Sequence, residues 1–318
     1  MMSHNPLVSV ILPNYNHAPF LHRRIESILC QTFQDFELII LDDHSTDGST
    51  AIIQEYSKHQ KVTKVVLNEQ NSGLTFHQWL KGIRLAQGKY LWIAESDDYA
   101  NEHFLEKLVH ILEAQPNVGL AFTQSWLVNE NDEILFSCKR WSDDPRWKQD
   151  FMLDGKLALK AFAIYTTGMY NASAVLFRKE VFDKVSLAFT EFKYAGDTML
   201  WLEMLLHTDL FYVAEELNFF RTHPQQHSSN TTEIQLLEGF ENILNLISLN
   251  NPLLKEPVTQ QKIKYLIVKA LYAYLNRKIR LLSLLKVMIA AARTDLLCST
   301  RMFFRYTGKC FRPTFAII

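Results

Sequence analysis

Strand-length apolar runs that alternate with helical segments are the feature that most constrains the fold of this chain. Between these runs, apolar residues recur at the three- and four-residue spacing of amphipathic helices. The apolar runs cover residues 7–12, 36–41, 62–67, 89–94 and 118–123. They are apolar on both faces, which is typical of parallel strands covered by helices on both sides. The pattern predicts an α/β fold, a Rossmann-like and mostly parallel sheet with flanking helices.

Polar clusters follow four of these runs, at the point where each predicted strand ends. They are PNYN at 13–16, DDHSTDGS at 42–49, NEQNSG at 68–73 and ESDD at 95–98. In open α/β sheets, ligands bind beyond the carboxyl ends of the strands. The four loops therefore predict a single binding site at one edge of the sheet.

The fourth of these loops places three acidic residues, Glu95, Asp97 and Asp98, within four positions. Carboxylates this close repel one another unless a cation holds them together. A solvated turn is the alternative, because Asp and Ser favour turns and helix caps. Mg²⁺ or Mn²⁺ would bind carboxylates and complete its shell with water and substrate phosphates. The neighbouring polar loops favour this second interpretation, a divalent metal site beside a nucleoside diphosphate.

Three further aspartates allow two interpretations each. Asp42 and Asp43 end the second predicted strand, where they could cap the next helix or accept hydrogen bonds from a nucleobase or ribose. Asp197 begins a predicted helix at about 197–207. It could complement the helix dipole, or serve as a general base that faces the metal site.

The second half of the chain departs from the regular alternation. We predict a helix at 154–165, a strand-like segment at 171–177, and a helical pattern from about residue 234. These changes divide the chain into a catalytic domain over 1–230 and a helical C-terminal region over 231–318.

The end of the chain is basic, although the formal net charge of the whole is only -1. Nine Lys or Arg face the single Asp295 between Arg277 and Arg312, a local balance of +8 that leaves -9 elsewhere. Residues 277–318 could pack as helices with a wet basic face, or attach to an anionic membrane surface. No recognition motif favours nucleic acid as a partner.

Composition indicates what kind of protein this is and where in the cell it is expected. Hydrophobic residues make up 48% of the chain and charged residues 21%, which is typical of a globular protein. The four cysteines show no paired spacing, and the chain begins without a basic leader before its first apolar run. No uncharged run is long enough to cross a bilayer. We expect a cytoplasmic protein that is peripheral to the membrane if the basic segment docks there.

The ordered motifs resemble the family 2 glycosyltransferases, whose catalytic domain has the GT-A fold. The resemblance covers about residues 7–225 and depends on the YN after the first strand, QTFQDFE, DDHSTDGS, the acidic loop and AGD. It implies an inverting transfer of a sugar from a nucleotide-sugar, with a UDP-sugar as the expected donor. The implied acceptor is a saccharide or lipid-linked molecule, as in surface polysaccharide or glycolipid synthesis.

The resemblance also implies a role for each matching position. Asp97 would bind the Mg²⁺ or Mn²⁺ ion, its neighbour Asp98 is a second candidate metal ligand, and Asp197 would deprotonate the acceptor hydroxyl. His223 would lie near the diphosphate as a further candidate metal ligand. The nucleotide-binding positions would be Pro13, Tyr15, Asp42, Asp43, Ser72 and Ser96.

Two departures from the family pattern keep an alternative open. Glu95 stands where the family usually has Asp, and Gly196 stands where it usually has Glu. A non-catalytic protein that binds nucleotide-sugars on the same fold is therefore the alternative function. A sugar-nucleotide pyrophosphorylase is disfavoured, because that class needs a glycine-rich phosphate loop and PNYNHAPF contains no glycine.

Overall fold

The computed structural model describes residues 5–141, 145–164, 169 and 171–223, with the backbone alone for 160–164. One compact unit comprises Met1–Leu159 and Thr166–Ser229, and a second comprises Lys160–Tyr165 and Asn230–Ile318. The predicted helical region 231–318, including the basic segment 277–318, lies outside the described residues. The division into a catalytic domain and a helical region therefore stays a prediction.

The first half of the chain builds the parallel part of the sheet. Its strands are β1 (Val8–Asn14), β2 (Phe36–Asp42), β3 (Val62–Leu67) and β4 (Tyr90–Ile93). They lie in the order β3-β2-β1-β4 and pair in parallel. The intervening helices are α1 (Ala18–Leu29), α2 (Ser49–Tyr56) and α3 (Thr75–Leu85). This alternation confirms the α/β prediction.

The second half extends the sheet with strands of mixed direction. Its strands are β5 (Tyr99–Ala100), β6 (Val118–Val128), β7 (Ile134–Ser137), β8 (Phe151–Leu153), β9 (Val175–Arg178) and β10 (Asp209–Arg221). Its helices are α4 (Phe104–Ala114), α5 (Gly155–Ile164), α6 (Lys179–Phe182) and α7 (Gly196–Met204). The full order is β3-β2-β1-β4-β9-β6-β10-β5, with β7 on β6 and β8 on β10.

Strand direction explains which segments meet at the end of β4. β9 runs antiparallel to β4, so the residues just before β9 lie beside the loop that leaves β4. β10 runs parallel to β6 and pairs near its end with β5, which follows that same loop. The acidic loop is therefore enclosed by two segments that lie more than 70 residues further along the chain.

The core explains why the strands read as apolar on both faces. Every residue of β1, β2 and β4 is buried. Trp92 in β4 stacks on Phe104 of α4 with ring centroids 4.5 Å apart. On α3, a Cβ at Gly82 would lie 2.3 Å from the Ile11 side chain, so the glycine lets this helix pack directly on β1. Within the described residues, none of the helices combines the length and apolar character that crossing a bilayer requires.

Candidate active site

Asp98 ties together the segments that surround the acidic loop. Its Oδ2 accepts hydrogen bonds from Asn171 Nδ2 and Ser173 Oγ, both at 2.7 Å. Its Oδ1 accepts from the backbone N–H of Arg221 at 2.9 Å. Burial and the neighbouring Asp97 raise the pKa of Asp98 to about 7. Both oxygens are thus used within the protein, a geometry that favours a structural role over the predicted metal ligation.

Asp97 faces a different environment from its neighbour. Its Oδ2 lies 3.3 Å from His223 Nε2, and 13% of its side chain is exposed. Burial alone would raise the pKa of Asp97, but the hydrogen bond from His223 and the charges of His17 and His223 outweigh it and lower that pKa. The carboxylate is therefore held ionised, as a metal ligand must be.

His17 completes a cluster that the sequence analysis did not identify. Ligand atoms of His17, Asp97 and His223 all lie within 4.8 Å of one another. The imidazole rings of His17 and His223 are edge to face, with centroids 5.5 Å apart, and His17 Nδ1 contacts Ser96 Oγ at 2.8 Å. One feature of the sequence could have indicated His17: it comes directly after the polar loop PNYN that follows β1.

The cluster fits a divalent ion. Nitrogen and oxygen ligands lie about 2.1 Å from such an ion, so neighbouring ligand atoms are about 3 to 4 Å apart. The separation of Asp97 Oδ2 and His223 Nε2 already falls in this range. Because Mg²⁺ prefers oxygen ligands, a set with two imidazoles suits Mn²⁺ better.

Glu95 uses its extra methylene to reach α3. Its Oε1 accepts a 2.6 Å hydrogen bond from Trp79 Nε1, and its backbone N–H donates to Ser173 Oγ at 3.1 Å. Burial, followed by repulsion from Asp97, raises the pKa of Glu95 to about 8. The departure from the family's Asp is thus accommodated by a tryptophan N–H from the preceding helix.

A cavity of about 420 Å³ opens beside this cluster, at the carboxyl ends of β1 and β2. Its size suits a small-molecule ligand such as a nucleotide. The cavity contains four of the predicted nucleotide-binding residues and also His17, so it adjoins the candidate metal ligands. The lining residues include Pro13, Tyr15, Asp43, Ser96, His17, Glu95, Asn71 and Gln78.

Asp43 is fixed in the cavity wall by several donors. It accepts from the backbone N–H and hydroxyl of Ser72, from Gln78 Nε2 at 2.9 Å and from Asn68 Nδ2 at 2.6 Å. Ser72 is therefore placed as a support for Asp43. Gln78 is a lining residue that sequence reasoning missed, because it lies inside a helix rather than in one of the polar loops.

Asp42 shapes the loop after β2 rather than the cavity surface. Its Oδ2 accepts from Asn14 Nδ2 at 2.8 Å and from Ser45 Oγ at 2.6 Å, and its Oδ1 accepts from the Ser45 backbone N–H at 2.9 Å. These contacts close a turn and join it to β1. The direct nucleotide contact predicted for Asp42 stays a prediction.

Asp197 lies in the first turn of α7, as the sequence predicted, and Gly196 begins the helix. A Cβ at Gly196 would lie 2.4 Å from the Phe189 carbonyl oxygen and 2.6 Å from the Phe76 ring. There is no space for the Glu that the family usually has here. Phe76 packs edge to face on Trp79, the residue that binds Glu95, so this contact connects the start of α7 to the acidic loop.

Similar proteins of known sequence include several glycosyltransferases. An uncharacterised glycosyltransferase of Haemophilus influenzae is 28% identical over 72% of this chain and 69% of its own length. The poly(ribitol-phosphate) β-N-acetylglucosaminyltransferase TarP of Staphylococcus aureus is 25% identical over 81% of this chain and 75% of its own length.

Solved structures show the same fold. S. aureus TarS 1–349 in complex with UDP-GlcNAc superposes with a TM-score of 0.66 and 16% identity, over 94% of this chain and 87% of TarS 1–349. The mannosyltransferase PcManGT of Pyrobaculum calidifontis, solved with GDP-Man and Mn²⁺, gives a TM-score of 0.59 and 16% identity over 98% and 82% of the two chains.

The family assignment follows from the sequence profile as well as the fold. The profile described as Glycosyl transferase family 2 matches residues 9–185, which is more than half of the chain. The matched region contains β1 to β4, the polar loops that follow them and the acidic loop. This chain therefore belongs to glycosyl transferase family 2 and has the GT-A fold.

Proposed function

We propose that this glycosyltransferase is metal dependent and inverting, with a nucleotide-diphosphate sugar as donor. The observation that carries the proposal is that His17 belongs both to the nucleotide-sized cavity and to the cluster with Asp97 and His223. A donor whose base enters the cavity would bring its diphosphate towards the cluster. The structures of TarS with UDP-GlcNAc and of PcManGT with GDP-Man and Mn²⁺ support this donor class.

The candidate ligands His17, Asp97 and His223 would hold the ion, with Mn²⁺ favoured by the two imidazoles. A bound divalent ion supplies positive charge that stabilises the departing diphosphate. Asp98 would keep Asp97 in place through the hydrogen bonds that it accepts from Asn171, Ser173 and the backbone N–H of Arg221. We therefore propose that Asp98 is a positioning residue and that Asp97 is the aspartate that binds the metal ion.

Asp197 is the proposed general base. As the acceptor hydroxyl attacks the anomeric carbon, its proton would pass to the Asp197 carboxylate while the bond to the nucleotide diphosphate breaks. A single displacement of this kind inverts the anomeric centre. The start of a helix is a rigid support for a base, and the close contact of Gly196 with Phe189 fixes that start.

The acceptor is proposed to be a saccharide or lipid-linked molecule, in surface polysaccharide or glycolipid synthesis. Two relatives support this acceptor class: TarP is a poly(ribitol-phosphate) β-N-acetylglucosaminyltransferase, and TuaG of Bacillus subtilis is a putative teichuronic acid biosynthesis glycosyltransferase, 38% identical over 35% of this chain and 44% of its own length. A cytoplasmic location, with residues 277–318 on an anionic membrane, would suit a lipid-linked acceptor. Flotation of the full chain with anionic and neutral vesicles tests that location, and equal recovery with both would contradict it.

The function is tested with labelled UDP- and GDP-sugars, with and without Mn²⁺, on wild type and Asp197→Asn. General-base assistance is worth about 10² to 10⁴ in rate, so the variant should lose turnover by that factor. It should still bind donor, as measured by thermal stabilisation. Turnover within a few-fold of wild type would remove Asp197 from the role. Donor binding without any transfer or hydrolysis by wild type would favour the non-catalytic alternative.

A further inference from the structure

Arg221 at the end of β10 is a buried arginine whose side chain contacts several segments of the site. Only 1% of it is exposed. Its Nε donates a 2.6 Å hydrogen bond to the Asp97 carbonyl oxygen. In the turn between β6 and β7, its Nη1 donates to the Asn129 carbonyl oxygen at 2.8 Å and its Nη2 pairs with the Asp132 carboxylate. The planar guanidinium thus joins the backbone of the acidic loop to this turn.

Phe20, in the first turn of α1, connects this guanidinium to the candidate metal ligands. The Arg221 guanidinium carbon lies over the Phe20 ring, 4.6 Å from its centroid. The same ring packs against the imidazoles of His223 and His17, at centroid distances of 5.0 and 6.1 Å. A cation over an aromatic face is attracted to it, and more strongly where water is excluded. Arg221 therefore holds Phe20 in place, and Phe20 limits the room that both imidazoles have to move.

The end of β10 carries one candidate ligand and binds the main chain that carries another. The backbone N–H of Arg221 donates to Asp98 Oδ1 at 2.9 Å, in addition to the bond from its side chain to the Asp97 carbonyl oxygen. His223 follows two residues later, with its Nε2 3.3 Å from Asp97 Oδ2. The relative placement of His223 and Asp97 therefore depends on the contacts of Arg221 with the loop.

We propose that Arg221, acting with Phe20, is a positioning residue that holds His223 and Asp97 in the geometry of a metal site. Hydrogen bonds from Arg221 fix the backbone of Asp97, and the Phe20 ring restricts the His223 side chain. Contacts of this kind orient metal ligands, and losing one typically weakens metal binding by about 10- to 100-fold. The effect on metal binding rests on the proposed function, whereas the placement of His223 against Asp97 belongs to the metal-free protein.

The first test is the affinity for Mn²⁺, measured by isothermal titration calorimetry on wild type and Arg221→Lys, well below their melting temperatures. Lysine keeps the positive charge but loses the planar fork that reaches two carbonyl oxygens and covers the Phe20 ring. The variant should bind Mn²⁺ about 10- to 100-fold more weakly. Unchanged affinity in a folded variant would overturn the proposal.

Arg178 in β9 is the matched control, because it is a buried arginine of the same kind that pairs with the start of β4 rather than its end. It is 5% exposed, donates to the carbonyl oxygens of Val118 and Leu112, and lies 5.3 Å from the centroid of the Tyr90 ring. Arg178→Lys should lower Tm, as Arg221→Lys should, but keep the wild-type affinity for Mn²⁺. Equal losses of affinity in the two variants would indicate general destabilisation and overturn the positioning role.

Phe20→Leu provides a second variant should Arg221→Lys fail to fold. Leucine keeps an apolar side chain but removes the ring on which the guanidinium and His223 pack, so Mn²⁺ binding should again weaken. If both variants fold, the loss for the double variant should be smaller than the product of the single losses, because the two residues act as one unit. Full affinity in Phe20→Leu, or losses that simply multiply, would contradict the proposal.

Crystal structures of the metal-free wild type and variants separate this proposal from the proposed function. In each variant, His223 Nε2 should no longer lie within hydrogen-bond distance of Asp97 Oδ2. A variant that keeps this contact counts against the positioning role, whatever its affinity. If wild type binds no Mn²⁺ but the variants lose the contact, the metal site is refuted and the positioning role stands. If wild type binds Mn²⁺ and the variants keep both contact and affinity, the positioning role is refuted and the metal site stands.

Discussion

Replacing Asp98 should mainly reduce the stability of the protein, whereas replacing Asp97 should mainly reduce metal binding and activity. Asp98 accepts three hydrogen bonds, at 2.7, 2.7 and 2.9 Å, and is 2% exposed. Above its pKa of about 7 Asp98 is ionised, and hydrogen bonds to a charged group are worth about 1.5 to 3 kcal/mol each. A buried donor that loses its acceptor adds a penalty of about 1 to 3 kcal/mol. Contributions within one network are not additive, so we expect Asp98→Ala to cost about 3 to 5 kcal/mol of unfolding free energy.

For a domain of this size, each kcal/mol lowers Tm by about 2 to 4 °C, which predicts a loss of about 6 to 20 °C for Asp98→Ala. Asp97→Ala should lower Tm much less, because the long contact with His223, at 3.3 Å, is the one hydrogen bond to another side chain that the Asp97 carboxylate makes within the described residues. Asp97→Ala should instead abolish stabilisation by Mn²⁺ and with it most activity.

The assay is thermal denaturation of wild type and both variants, first in EDTA and then with Mn²⁺, followed by donor turnover. Ser186→Ala serves as a control for loss of one hydrogen bond to a buried carboxylate away from the site, since Ser186 donates to Glu203. If Asp98→Ala keeps the wild-type Tm but loses the response to Mn²⁺, Asp98 is the metal ligand. In that case the assignment of roles from hydrogen bonding is wrong.

Three further predictions concern the supports of the site. Trp79→Phe removes the donor to Glu95 and should cost about 1 to 3 kcal/mol in urea denaturation; an unchanged midpoint would contradict this. Gly196→Ala places a methyl against the Phe189 carbonyl and should cost about 1 to 3 kcal/mol and lower turnover, measured by melting and donor assays; wild-type values would refute the packing argument. Burial alone raises the pKa of Asp47, but hydrogen bonds from the first residues of α1 and α2 outweigh it and lower that pKa. Because a lowered pKa stabilises the fold above the pKa of the unfolded chain, wild type should be more stable than Asp47→Asn at neutral pH, and the difference should disappear as pH falls below about 4; a gap that persists at pH 2 would contradict this.

Much of the parallel half of the fold follows from local sequence. The runs predicted at 7–12, 36–41 and 62–67 correspond to β1, β2 and β3 within two residues. β1 and β2 could be read because both of their faces are buried, so nearly every residue is apolar. β3 lies at the edge of the sheet and is only partly buried, so its apolar character is weaker. The predicted edge of the sheet also holds the cavity, since parallel strands bring their carboxyl ends together.

The segment that contains β9, which pairs antiparallel with β4 and β6, was harder to predict from the sequence. The strand-like segment 171–177 is a short 3-10 turn, Ala172–Ala174, followed by β9. The turn carries Ser173, which binds both Asp98 and the backbone of Glu95. The position of Ser173 in the sequence shows no helical or strand periodicity that would mark it as important. Its role comes from its hydrogen bond to Asp98, which lies 75 positions away in the chain. Periodicity cannot report a contact of that kind.

The sequence by itself determined the family, the α/β class and the loops that carry the site, because these depend on local apolar patterns and short ordered motifs. Only the tertiary structure distinguished the roles within those loops. Asp97 and Asp98 are adjacent and chemically identical in the sequence. The turn before β9 and the end of β10 supply hydrogen bonds to Asp98, while His17 and His223 come together at Asp97. Burial and long-range partners decide what a carboxylate can do, and both arise only when distant segments pack together.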